Sequence, residues 1–384
     1  MTVNISVIGM GMINPVGIGV LASAAATRAG INQYADSSAE SEYGDPIKIA
    51  TVPDSCLPEL ELEGHVQPAL YQRMLQLGVF ALKEALDSVM SEQALNSAIP
   101  VFLALPEQRC GQPFPALEPI LKDLNKYVDC PLDLLSSRVF ADGRAAGFKA
   151  LSQAYQLLEN THLDRIIVGG IDSYFDTDLL QSLDAEKRML GDNSVDGFVP
   201  GEGAAFIILE KTALEKIDLG KSVSGQNASE NATVVMQVPS EGHEAGHLYS
   251  DEPCLGNGLT TAISGAIENA QLPSAIQSVL SSINGESLQV KEWSIALTRN
   301  AQAFANNFEL AHPAECYGDL GAATVPTLIA LAMTGVSKGY LSLPTLVWSV
   351  SDYAPRGAVL ITSAVNNADQ SSHTNGHPIN QASG

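Results

Sequence analysis

The chain has 384 residues, 45% of them hydrophobic and 16% charged, so it can bury a large core as two ordinary domains or one pseudo-symmetric pair. Its formal net charge of −23 argues against nucleic acid, which asks for a basic footprint. It also disfavours docking on an anionic membrane or gripping an acidic carrier through a broad basic face.

The chain opens with "NISVIGMG", read as a buried first strand over 3–9. No Lys or Arg precedes Arg28, and Asn14 and Pro15 interrupt the apolar run, so the start is not read as a signal peptide. Short apolar runs then alternate with helix-length patterns, which points to α/β layering. Further strands are predicted at 47–52, 100–105, 165–170, 203–210, 291–297, 345–351 and 357–363. Leu, Val, Phe and Ala at helical spacing predict a core helix over 69–90, and similar patterns predict helices at 147–160, 258–270 and 321–334. "DRIIVGGID" is a continuous apolar run, as in a strand buried on both faces. Ser, Asn, Gly and Glu dominate residues 218–255, read as a strand pair and an exposed connection. Residues 366–384 have almost no apolar content and read as a disordered tail. No segment is continuous enough to span a membrane. Five scattered cysteines (Cys56, Cys110, Cys130, Cys254, Cys316) lack CxxC or CxxH spacing and read as reduced thiols of a cytoplasmic protein. His243 and His247 stand four apart without a third ligand, so no metal site is expected.

One stretch raises a chemical question. "FADGRAAGFKALSQAYQLL" (140–158) reads as a tight turn feeding a helix whose first residues are small. Acyl-transfer enzymes place nucleophiles at such turns, because helix N-terminal N–H groups stabilise a thiolate or oxyanion. Here the residue is Arg144.

The segment "VDGFVPGEGAAFIILEK" (195–211), following "DRIIVGGID", resembles the β-ketoacyl synthase signature. "ISVIGMGMINPVG" is similar to the first strand and loop of that family, "SDEPCLGNGLTTAISGAIENAQL" to the passage into its second half and "YGDLGAATVPTLIALA" to the Gly-Ala-Ala helix of that half. The resemblance spans roughly residues 3–363 and implies a thiolase fold, an α/β architecture of five αβαβα layers in two pseudo-symmetric halves, normally a dimer. Residues 1–217 would form the N-terminal half, 218–255 the connecting segment, 256–365 the C-terminal half and 366–384 the tail.

The same resemblance implies that the family's reacting groups are missing. Its nucleophilic Cys falls on Arg144, its first His near Thr298 after the predicted strand "EWSIAL", and its second His at Gly318–Asp319. His312 lies too far upstream for that place. The family's glycine-rich oxyanion turn corresponds to "DYAPRGAV" (352–359), where Ala354 and Pro355 do not readily take positive φ. Arg, always protonated, neither accepts an acyl group nor acts as a base. Arg144 would either bind an anion, such as a carboxylate or a phosphopantetheine phosphate, or fill the vacant pocket and pair with Asp142 or Asp319. Glu202 would satisfy backbone donors or a basic partner, with Asp196 and Gly197 serving as turn residues.

No catalytic, cofactor-binding or metal residue is therefore expected. The implied function is that of a non-catalytic ketosynthase-like protein acting by protein–protein contact, as an accessory or adaptor of a bacterial type VI secretion effector. The alternatives are a β-ketoacyl-ACP synthase or acyltransferase of fatty-acid or polyketide synthesis, or its chain-length-factor-like partner subunit, whose tunnel Arg144 would obstruct. Implied partners are a second copy, or a ketosynthase-like or effector protein, with acyl carrier protein as a further one and no nucleic acid or membrane.

Overall fold

The computed structural model describes residues 4–61, 68–90, 97–108, 117, 119–191, 194–212, 234–272 and 274–364. The first half runs β1 (Asn4–Asn14), β2 (Gly17–Ile18), α1 (Val20–Arg28), β3 (Ala35–Glu40), β4 (Pro46–Ile49) and α2 (Ala69–Met90). It continues through β5 (Val101–Ala104), α3 (Ile120–Lys126), β6 (Arg138–Phe140), α4 (Ala146–Asn160), β7 (Arg165–Ser173), α5 (Thr177–Ala185) and β8 (Glu202–Thr212). The second half runs β9 (Val234–Met236), β10 (Ser240–His243), α6 (Asn257–Ala270), β11 (Ile276–Ser281) and α7 (Ser287–Arg299). It ends with β12 (Phe304–Ala311), α8 (Ala314–Tyr317), α9 (Thr324–Ser337), β13 (Thr345–Val350) and β14 (Pro355–Ser363).

The two halves repeat one strand order. β6-β5-β7-β8-β1 and β12-β11-β13-β14-β9 are the same sequence of third, second, fourth, fifth and first main strand. In each, the fifth strand runs antiparallel to both neighbours. β1 and β9 join the two sheets where Ile5 pairs with Met236.

Strand periodicity builds the layers. On β7, Ile166 and Val168 face a core shared with α4, α9 and one face of the second sheet, while Ile167 and Ile171 face α2 and α3. On the second sheet, Val347, Val359 and Ile361 join that shared core, and Leu346, Trp348 and Leu360 pack against α6 and α7. The order is therefore helices, sheet, helices, sheet, helices: the five-layer thiolase fold. α4 and α9 are the central layer, which explains why their sequences are rich in small residues. A Cβ on Gly170 of β7 would stand 2.2 Å from the Ala322 carbonyl oxygen, so the turn before α9 can lie directly on the strand.

One predicted strand is wrong. Residues 291–297 lie within helix α7, because the buried positions Gln289, Glu292, Trp293 and Ala296 recur at helical spacing. The apolar run Trp293–Leu297 disguised that periodicity. β11 and β12 were missed because polar residues, Gln277 and Ser278 in one and Asn306, Asn307 and Glu309 in the other, interrupt their apolar runs. β9 and β10 both pair with β14 rather than with each other. Residues 218–233 of the expected connection, and the expected tail at 366–384, lie outside the described residues. Among the described residues, no helix is long and apolar enough to cross a membrane.

After β12, the His312 ring Nδ1 lies 2.8 Å from Ser281 Oγ on β11. Burial pushes its pKa below the ordinary 6.5, against the opposing pull of Glu315. A folded-state pKa below the unfolded one gives stability that is complete above about pH 6.5 and is lost as pH falls through the folded value. His312→Gln is expected to flatten this acid limb, so that urea midpoints between about pH 7 and 5 fall less steeply than in wild type. Equal slopes would show that the ring is not held neutral.

Candidate functional site

The turn ahead of α4 is set by Gly143, whose φ of 68° favours glycine. It delivers Arg144 into the interior, where the residue is only 2% exposed. Ser351 fastens the turn to the second half: its Oγ accepts from the Ala145 N–H at 2.9 Å and donates to the Asp142 carbonyl at 2.5 Å. Asp142 itself turns outward and meets Lys149 Nζ at 2.9 Å, so of the two acids expected to hold Arg144 it is Asp319 that does.

Arg144 Nε donates to Asp319 Oδ2 and Nη1 to Asp352 Oδ1, each at 2.5 Å. A second guanidinium, Arg188, joins them. Its Nε and Nη2 grip Glu286 at 2.8 and 3.0 Å, and its Nη1 and Nη2 grip Asp352 at 2.8 and 2.9 Å. Asn284 Nδ2 donates to Asp319 Oδ2 at 2.6 Å and to Glu286 Oε2 at 3.2 Å. Both guanidinium carbons sit over the Phe198 ring, at 5.8 and 5.3 Å from its centroid. Both cations come from the first half and the three acids that hydrogen-bond them from the second, so the cluster ties the two halves together; Glu186 of the first half stands farther off, 3.9 Å from Arg188 Nη1. Burial by itself would lower the pKa of both arginines, but attraction to Asp319 and Asp352 for Arg144, and to Asp352 and Glu286 for Arg188, raises them above the ordinary value. Both cations stay charged.

Of the residues singled out from sequence, Arg144 and Asp319 meet, and Gly318 brings Asp319 in from a left-handed turn (φ 76°). Thr298 does not join them. It is exposed on α7 and its hydroxyl donates to the Ser294 carbonyl, because the strand from which it was counted is a helix. Asn284, on the loop between β11 and α7, stands in the cluster instead. Arg188, Glu286 and Asp352 were also missed; only the aspartate lies in a segment the sequence had marked.

Glu202 accepts from the Val52 N–H, from Arg73 and from Ser173, an interior clamp rather than a reacting group. Asp196 accepts from both the N–H and the hydroxyl of Ser287. The thiols of Cys130, Cys254 and Cys316 are all pushed above their ordinary pKa by burial, away from the reactive thiolate. Glu244, Cys254 and Glu292 bring three ligand-type atoms within 4.8 Å of one another. The carboxylate oxygens, however, already accept from Leu255 and Gly258 N–H groups and from Arg356, so the group serves as a helix cap and an ion pair.

Element order and layering define the thiolase fold, with the Arg144 turn leading into its central helix α4. The family model "Beta-ketoacyl synthase, N-terminal domain" matches residues 143–214, from the Arg144 turn to the end of β8. The chain is similar in structure to the ketosynthase ApeO in complex with its chain length factor ApeC from Xenorhabdus doucetiae, with a TM-score of 0.69 and 16% identity over 94% of this chain and 98% of that one. It is also similar to the ketosynthase from module 6 of the bacillaene synthase from Bacillus subtilis 168, with a TM-score of 0.70 and 12% identity over 94% of this chain and 72% of that one. A third similar structure is AntDE:AntF, a type II polyketide synthase acyl carrier protein in complex with its ketosynthase, with a TM-score of 0.69 and 15% identity over 95% and 100% of the two chains. No curated protein matches the sequence.

Proposed function

We propose that this protein is a non-catalytic ketosynthase-like subunit that works as the partner of a catalytically competent ketosynthase. The observation that carries the reading is the buried guanidinium of Arg144, held through Nε and Nη1 by Asp319 and Asp352, at the turn where the family's nucleophile would stand. Condensation needs a thiolate to hold the acyl group and donors to stabilise an enolate. Arg144 and Arg188 supply positive charge, but three carboxylates already neutralise it, and neither side chain accepts an acyl group. The acyl pocket is replaced by an ionic tie between the halves.

Similarity to a ketosynthase with its chain length factor supports a partner subunit over the secretion-accessory alternative. A docking face is at hand on β6, the end strand of the first sheet. Val139 is exposed on it, and Leu134 and the 100% exposed Leu135 stand on the turn just before it. An unpaired strand edge flanked by apolar side chains is suited to pairing with a second subunit, of this chain or of a ketosynthase.

The reading is tested by incubating the protein with a panel of acyl-carrier-protein and coenzyme A thioesters. Intact-mass spectrometry is expected to show no adduct, and malonyl thioesters no decarboxylation. Arg144→Cys is expected to stay unacylated as well, because Asp319 and Asp352 would face the new thiol and hold it protonated. Acylation of the wild-type chain would overturn the proposal.

A further inference from the structure

Beside the cluster lies a polar cavity of about 230 Å³, running from the exposed Glu186, Lys187 and Asp196 to the buried Arg144, Arg188 and Asp352. It is below the range of roughly 300–1,000 Å³ typical for drug-sized ligands, so its occupant is small. Its wall is charged, and carboxylates outnumber cations on it.

One further feature marks it as a built site. Arg144 Nη2 is buried and, among the described residues, has no hydrogen-bond acceptor. Glu286 Oε2 stays 3.7 Å away and already accepts from Arg188 and Asn284. A buried donor left unpaired is destabilising, and a ligand bringing an acceptor relieves it.

The wall selects the ligand's charge. An alkyl chain would strip water from the ion pairs of the wall without replacing its hydrogen bonds, a simple anion would meet excess carboxylate, and a simple cation would meet the guanidiniums. A molecule carrying both signs satisfies both ends. We propose that this cavity binds a small zwitterion of amino-acid size, its carboxylate or carbonyl oxygen accepting from Arg144 Nη2 and its ammonium facing Glu186 and Asp196 at the mouth. The inference rests on the reading of this pocket as one that loads no acyl chain.

Isothermal titration and thermal unfolding of the full chain test it. The probes are the twenty free amino acids, with acetate and ethylammonium as single-charge controls and octanoate as the acyl control. At least one amino acid is expected to bind saturably and raise the unfolding midpoint, with neither single-charge control doing so. Glu186→Gln, an exposed change that keeps an oxygen to accept from Tyr249 and meets the cluster only at a 3.9 Å contact with Arg188, is expected to weaken that binding about tenfold, the scale of one lost charged hydrogen bond. Binding of acetate or ethylammonium as tightly as the amino acids would overturn the zwitterion assignment, as would unchanged affinity in the variant. Silence from the whole panel would overturn the site alone, whereas octanoate binding would overturn both it and the functional proposal.

Discussion

Replacing Arg144 by methionine is expected to lower the stability of the fold by about 3–5 kcal/mol, the cost of leaving buried charges without their partner. Asp319 Oδ2 would keep only Asn284, while its Oδ1 remains tied to the Gly321 N–H at 2.7 Å. Asp352 would keep Arg188, but two acids from the second half would then face an apolar side chain inside the protein. Methionine fills much of the volume, so the loss reports charge rather than a cavity. Urea unfolding at neutral pH reads the effect as a lower midpoint at unchanged slope. Adding Asp319→Asn and Asp352→Asn to the same chain should recover a large part of it, since removing a whole buried ionic group is often close to neutral. A loss below about 1 kcal/mol in Arg144→Met would mean that water reaches the acids and that the cluster is not the tie between halves described above.

Leu135→Glu combined with Val139→Lys is expected to weaken self-association or ketosynthase binding at least about thirtyfold, the scale of removing one central apolar contact of about 2 kcal/mol from an interface. Both side chains are exposed in the single chain, so its folding should not change and circular dichroism should match wild type. A charge on β6 and a second on the turn before it would be buried unpaired wherever another strand adds to this edge. Sedimentation over a range of concentrations, alone and with a co-expressed ketosynthase, makes the comparison. A wild-type chain that stays monomeric and captures no ketosynthase would remove the partner-subunit reading. An unaltered dimer in the double variant would move the interface elsewhere.

Regular elements were legible in proportion to how local their cause is. The stripe of α2 and the continuous apolar run of β7 depend on neighbours within a few residues, and both stand where the spacing put them. The turn at Gly143 and the small residues after it announced a close approach, and Gly147 does face Val325 of the opposite half. α7 escaped because Trp293, Ile295, Ala296 and Leu297 are apolar without being buried together; only contact with the sheet selects Trp293 and Ala296 for the inside. That single misreading carried Thr298 into the list of site positions and hid Asn284.

The sequence by itself determined the α/β layering and the anomaly at Arg144, because each rests on local pattern or on the chemistry of one side chain; between an anion and a pairing with Asp142 or Asp319 it left the choice open. Only the tertiary structure decided which acid turns inward, and that Arg188, Glu286 and Asp352 complete the cluster. Arg144 and Asp352 are 208 positions apart, and periodicity holds no information at that range. Their meeting follows from two repeated sheets packing on a shared helical layer, which brings distant strand ends to one place and leaves buried charge no partner except across the halves.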